Sequence, residues 1–267
     1  VVIMINGKIN YMPAAAVVQM LAGMNAANID KIELVTTPPA NYDAEGNAGF
    51  INIVLESNPD MGMNGSASLS LGYGKGERAA ASGNFNYRRN KINLYGDYSF
   101  SLDNMDQVFS FSRLSILDAK ELRNATVSNR ETTQRNHLAR FGFDYQLSKK
   151  TMVAGLASMY NNKWSMDAIN NNSVSINETP DTSLRIVNDE INHWKHYGAN
   201  ISLQHQLDAD EKITVNADYL YYHDNNPVNY FNSFFDKQGA LLFQEETRSG
   251  KVTPIHIWVG SVDYSKK

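Results

Sequence analysis

The chain has 267 residues, a formal net charge of -4 and 19% charged side chains. This mild acidity argues against a general nucleic-acid binder, which carries a basic face. The absence of cysteine excludes a disulfide framework, a thiolate metal site and a cysteine nucleophile. No apolar run approaches the roughly 20 residues of a membrane-spanning helix.

The first sixty residues read as a small mixed α/β unit. "VVIMINGKINYM" predicts two short strands around Asn6-Gly7, a strong hairpin signal. Pro13 suits the first turn of a helix over Ala14 to Leu21, and Gly23 suits its end. "IDKIELV", Ile29 to Val35, reads as a strand. It leads into "TTPPANYDAEGNAGFINIVLE", Thr36 to Glu56, a turn with Pro38, Pro39, Gly46 and Gly49 that runs into a strand from Phe50 to Leu55.

From Met63 onward the period is two. On one side of successive segments stand Ala67, Leu69, Leu71 and Tyr73; Ala81, Gly83, Phe85 and Tyr87; Ile92, Leu94, Tyr98 and Phe100; and Ala139, Phe141, Phe143 and Tyr145. The series continues with Ile201, Leu203 and Leu207, with Ile213, Val215, Ala217, Tyr219 and Tyr221, and with Trp258, Val262 and Tyr264. Ser, Asn, Asp, Arg and Gln alternate with them. Thr151 to Tyr160 is strand-like, but both its faces are fairly apolar and neither can be assigned. Short turns are expected near Arg89-Asn90, Ser148 to Lys150 and Asp208 to Glu211, with a tight turn at Gly74 to Glu77. Long polar connections are expected over Ser101 to Arg135 and Asn162 to Asn192. One strand is expected to run past Tyr222 toward Phe235 and to return through Asp236 to Ala240. The total is about eight strands.

This signature fits a transmembrane β-barrel and also a soluble sheet protein. Tyr87, Tyr145 and Tyr264 lie just before short turns on the apolar side, where an aromatic girdle would stand. The polar side carries Asn, Asp, Arg and Gln mid-strand, which suits a wet lumen.

The segment Ile29 to Glu56 resembles the end of the plug domain of TonB-dependent outer-membrane receptors. The matching residues are Ile32, Glu33, Pro38, Pro39, Tyr42, Gly46, Gly49, Ile51, Asn52 and Ile53. Tyr42-Asp43 replaces the usual tyrosine-glycine pair, as in the subgroup called outer-membrane β-barrel proteins. The resemblance is close over Ile3 to Leu55 and stylistic beyond. It implies a plug domain at 1–60 and the N-terminal part of an antiparallel, incomplete barrel at 61–267. It implies an outer-membrane location in a Gram-negative bacterium, with the plug facing the periplasm. It implies import of a small-molecule, glycan or peptide substrate, without catalysis or cofactor. Outer-membrane lipid and an energy-coupling protein of the TonB type are the implied partners, and a surface lipoprotein is a further candidate. About eight strands do not close around a plug, so the reading frame is expected to continue in both directions. The alternative is a barrel with a structural, adhesive or assembly role and no active import.

Other chemistries find little support in the residues. His193 and His196, three apart on a strand, face opposite sides and make a poor metal pair. Gly72 to Glu77 resembles a phosphate loop, but a strand follows instead of the helix that loop needs. Asp208 to Glu211 lacks the spacing of a calcium loop. Pro38 and Pro39 fit a rigid turn better than a moving hinge. Tyr230, Phe231, Phe234 and Phe235 stand toward the outer end of a strand, and Trp164 at the start of a long connection. These five are candidate ligand contacts or an interface belt.

Overall fold

Consecutive strands joined by tight turns satisfy their backbone groups by pairing side by side. That is what the computed structural model of the chain contains, in two separate sheets. It describes residues 2–5, 8–9, 29–35, 49–55 and 61–266. Among the described residues every regular element is a strand.

The first sheet has four strands: β1 (Val2–Ile5), β2 (Lys8–Ile9), β3 (Ile29–Val35) and β4 (Phe50–Leu55), in the order β2-β1-β4-β3. The expected hairpin is present, with Met4 opposite Ile9 and Ile5 opposite Lys8. β1 runs parallel to β4, and β3 antiparallel to it. A parallel pair requires a crossover connection. The helix expected over Ala14 to Leu21 lies outside the described residues, so the helical part of the expected plug is not seen. Met4, Phe50 and Ile53 are buried.

The second sheet has eight antiparallel strands in sequence order. They are β5 (Gly62–Tyr73), β6 (Glu77–Arg89), β7 (Ile92–Leu117), β8 (Lys120–Ser148), β9 (Thr151–Ile176), β10 (Thr179–Gln206), β11 (Glu211–Phe235) and β12 (Leu241–Lys266). The sheet is open, the form of an incomplete barrel wall. The short turns fall where expected, including the tight one between β5 and β6. The return through Asp236 to Ala240 is closed by Asp236, whose carboxylate accepts from the Ala240 N–H at 2.8 Å.

The two long polar connections are corrected. Ser101 to Arg135 and Asn162 to Asn192 are almost wholly strand, because β7–β8 and β9–β10 continue as paired hairpins. Trp164 accordingly sits inside β9 and not at the start of a loop. The tight turns that join them are Asp118-Ala119 (φ 48° and 61°) and Asn177-Glu178 (φ 47° and 66°). Two consecutive positive φ angles match the hand of the twisted strands they connect. The Asn177 N–H also donates to the Glu121 carbonyl at 2.8 Å, while its side chain accepts from the Glu121 N–H at 2.9 Å. The second turn is thereby tied to the neighbouring strand.

Register places every apolar series of the sequence on one face. One row across the sheet reads Ile92, Tyr145, Val153, Leu203, Val215, Val262. Another reads Gly65, Phe85, Gly96, Phe141, Ala157, Ala199, Tyr219, Trp258. The ambiguous segment resolves with Val153, Gly155, Ala157 and Met159 on this face. From Val153 to Met159 the apolar band spans about 20 Å of strand, close to the ~25 Å band of a barrel.

Burial runs opposite to that of a soluble sheet. All but one of the side chains buried in this sheet lie on the polar face, Ser233 being the exception. The apolar face is open: Trp258 is 78% exposed, Val262 73% and Phe141 50%.

Candidate functional site

In the first sheet the sequence motif closes on itself. Ile32 stands opposite Ile53, Glu33 opposite Asn52 and Leu34 opposite Ile51. The Asn52 amide donates to the Glu33 carboxylate at 2.8 Å, and the Lys31 ammonium lies 2.7 Å from its other oxygen. These two hydrogen bonds, Lys31 first, hold the Glu33 carboxyl below its ordinary range. Gly49 has φ 81°, a left-handed conformation that favours glycine just before β4. Pro38, Pro39, Tyr42 and Gly46 lie outside the described residues.

The polar face of the wall is a set of cross-strand ladders. Low on the face, the Asn93 amide donates to Asp144 at 3.0 Å. Asn84 and Ser66 exchange two hydrogen bonds. In the same row Arg140 grips Asp97 through Nε and Nη2, with Nη2 at 2.7 Å. Higher up, Asn162 donates to Asn136, which donates to Ser101 at 3.0 Å. The Asn170 amide reaches Asn188 at 2.8 Å. Such charge-assisted and amide pairs fix side chains that would otherwise lose freedom without compensation.

The sequence-selected aromatics divide between the two faces. Trp164, Tyr230 and Phe234 share the polar face, and Phe231 and Phe235 stand on the other. Trp164 faces Gln134 and Asn192 across its two neighbours. Tyr230 pairs in register with Asn188, and Phe234 stacks on Phe243 at 4.3 Å. The five therefore do not form one cluster.

Sequence reading missed a grid beside Trp164. Tyr160, His196 and Tyr222 form one row of the polar face, and Asn162, Trp194 and Asp224 the next. His196 stacks on Tyr222 at 4.5 Å, and Lys251 pairs with Asp224 at 3.0 Å. His193 is on the opposite face, as its spacing from His196 predicts; there its Nε2 lies 2.8 Å from the Asn161 amide oxygen. The signal for Trp194 and His196 was the phase of β10, which Asn200, Ser202 and Gln204 already carried. This face can hydrogen-bond and stack a polar solute.

No protein-family model matches the chain, and no curated protein matches it. Among solved structures it is similar to the RagAB peptide importer in the 'closed-closed' state, at 8% identity over 99% of this chain and 47% of that one, with a TM-score of 0.40. It is also similar to the siderophore receptor PiuA from Acinetobacter baumannii, at 10% identity over 95% and 54%, with a TM-score of 0.26. The chain spans about half the length of these two structures. At these scores the likenesses carry no assignment. No helix among the described residues is long and apolar enough to cross a membrane, a criterion that does not address strands.

Proposed function

We propose that this chain is the plug end and the first part of the barrel wall of an outer-membrane receptor that imports a solute through TonB-type coupling. The observation that carries the membrane reading is the inverted polarity of the eight-stranded sheet. Across the height of the apolar band the Arg140–Asp97 ion pair and the ladders of Asn84, Asn93 and Asn200 occupy the covered face, while Phe141, Leu203, Val215, Tyr219, Trp258 and Val262 occupy the exposed one. Water penalises that arrangement and hydrocarbon favours it. A soluble sheet protein would show the reverse.

Import rests on the plug-like motif, whose Ile32-Glu33 and Ile51-Asn52-Ile53 segments pair directly. In this reading 1–60 is the plug, facing the periplasm, and the polar face lines the path of a small-molecule, glycan or peptide substrate. Trp164, Tyr230 and Phe234 are the contacts best placed for that role. Phe231 and Phe235, on the other face, stand about 26 Å and about 40 Å of strand beyond His223, which closes the apolar band, too far along to serve as an interface belt. An energy-coupling protein and a surface lipoprotein are the proposed partners.

A barrel with a structural, adhesive or assembly role is the second reading, favoured by the extent of paired strand beyond the apolar band. Uptake separates the two. Cells lacking the gene should lose accumulation of the substrate whose uptake depends on it, and the full-length protein should restore it only with an intact coupling system. Full accumulation in the deletion strain across siderophore, glycan and peptide panels would leave the second reading.

A further inference from the structure

Directly beyond the apolar band, the same face turns basic. Lys195 pairs in register with Asn161 and His223, and His137 with Asn161. In the next row Arg135 stands opposite Lys163, and Lys163 opposite His193. Arg135 and Lys163 are exposed and Lys195 is half-buried. Lys195 is diagonal to Lys163 across one strand gap.

Like charges placed directly opposite each other on a sheet are destabilising, and here no local carboxylate relieves them. Among the described residues none of Arg135, Lys163 and Lys195 has an ion pair. The nearest carboxylates on this face are Glu77, one row up and two strands away from Arg135, and the row Asp106, Glu131, Asp167 and Asp189 beyond it. From Lys163 to Asp167 is about 13 Å of strand, well past the ~8 Å screening length at physiological salt. The charges thus call for an external anion. Their height selects its kind. They form the upper rim of an exposed apolar band, on the face turned away from the polar ladders, where lipid headgroups meet a barrel wall. The imidazoles are held in place beside them: the His137 Nδ1 lies 2.8 Å from the Tyr98 hydroxyl.

We propose that Arg135, Lys163 and Lys195 form a site on the outside of the wall for the phosphate group of an anionic lipid in the leaflet on the side of the long hairpins. The arginine fork suits bidentate contact with phosphate oxygens, and the two ammonium groups supply compact charge beside it. The inference rests on the membrane reading given above.

The test uses the full-length protein in nanodiscs of phosphatidylcholine containing a minor fraction of phosphatidic acid, with the lipids that leave with the protein counted by native mass spectrometry. Phosphatidic acid should be enriched about tenfold over its bulk share, and Arg135→Gln/Lys163→Gln/Lys195→Gln should lose that enrichment. Millimolar inorganic phosphate should not displace the lipid; complete displacement would show a site for free phosphate and overturn the lipid assignment. Equal lipid ratios around the wild-type protein would overturn the proposal without needing any variant. Arg135→Lys/Lys163→Arg keeps the charge and should keep the enrichment. Failure of the full-length protein to enter phosphatidylcholine nanodiscs at all would count against the membrane reading itself, whereas entry without enrichment counts only against this site.

Discussion

Glu33 ties the first sheet together through Lys31 and Asn52, and it makes that sheet sensitive to acid. A carboxyl whose folded pKa is depressed contributes stability above its unfolded value and loses it as pH falls through the folded one. Pairing between β3 and β4 should therefore weaken as the medium drops below the ordinary glutamate range. A carbon-13 titration of the Glu33 carboxyl should give a midpoint below 4.5. Asn52→Ala should move it upward, because one donor to the charged form is gone. A midpoint unchanged by Asn52→Ala would mean that the amide does not hold the charge. The two strands were legible in the sequence as Ile29 to Val35 and Phe50 to Leu55 around a glycine-containing turn, while their pairing came with the structure. The split of the aromatics was legible only in part. Tyr230 and Phe231 are adjacent and face opposite ways, and the phase of Ile213 to Tyr221 already gives Phe231 to the apolar side; Trp164, placed in an expected connection, had no phase to read.

At the level of elements, alternation revealed the strands wherever one face is apolar and the other polar. It faded over Ser101 to Arg135 and Asn162 to Asn192, because both faces there carry Asn, Ser, Thr and Asp. Pairing persists in those stretches on backbone hydrogen bonds and amide ladders, neither of which leaves a period-two mark in hydrophobicity. β9 hid its faces for the opposite reason, since both are apolar near its start. The turns show where the hairpins spend free energy. Ala119 holds φ 61° with a β-carbon, a conformation that costs an L-residue about 1 kcal/mol. Ala119→Gly should recover most of that, read as slower amide exchange on either side of the β7–β8 turn. Faster exchange in that variant would show that glycine's extra freedom in the open state outweighs the relief.

For the whole molecule, the two faces of the wall should tolerate charge very differently. Phe141 lies mid-band on the exposed apolar face, and Ser158 lies on the polar face in the row of Arg140 and Asp97. Phe141→Arg should cost the full-length protein about 2–4 kcal/mol in a bilayer. Ser158→Arg should cost much less, and unfolding in urea from phosphatidylcholine vesicles measures both. Similar losses at the two positions would contradict a lipid-facing side. The sequence carried this polarity as a pattern, but could not say which face was covered, because curvature arises only once the strands are paired. The strand order has a kinetic consequence as well. Each strand of the wall pairs with its immediate successor in the chain, so no pairing within it waits for a distant segment to arrive. Assembly can advance like a zipper, hairpin by hairpin, with each step closing only a short loop. Long loop closures are what usually make sheets slow to form and prone to aggregation. The wall avoids them, so each strand finds its partner already formed beside it.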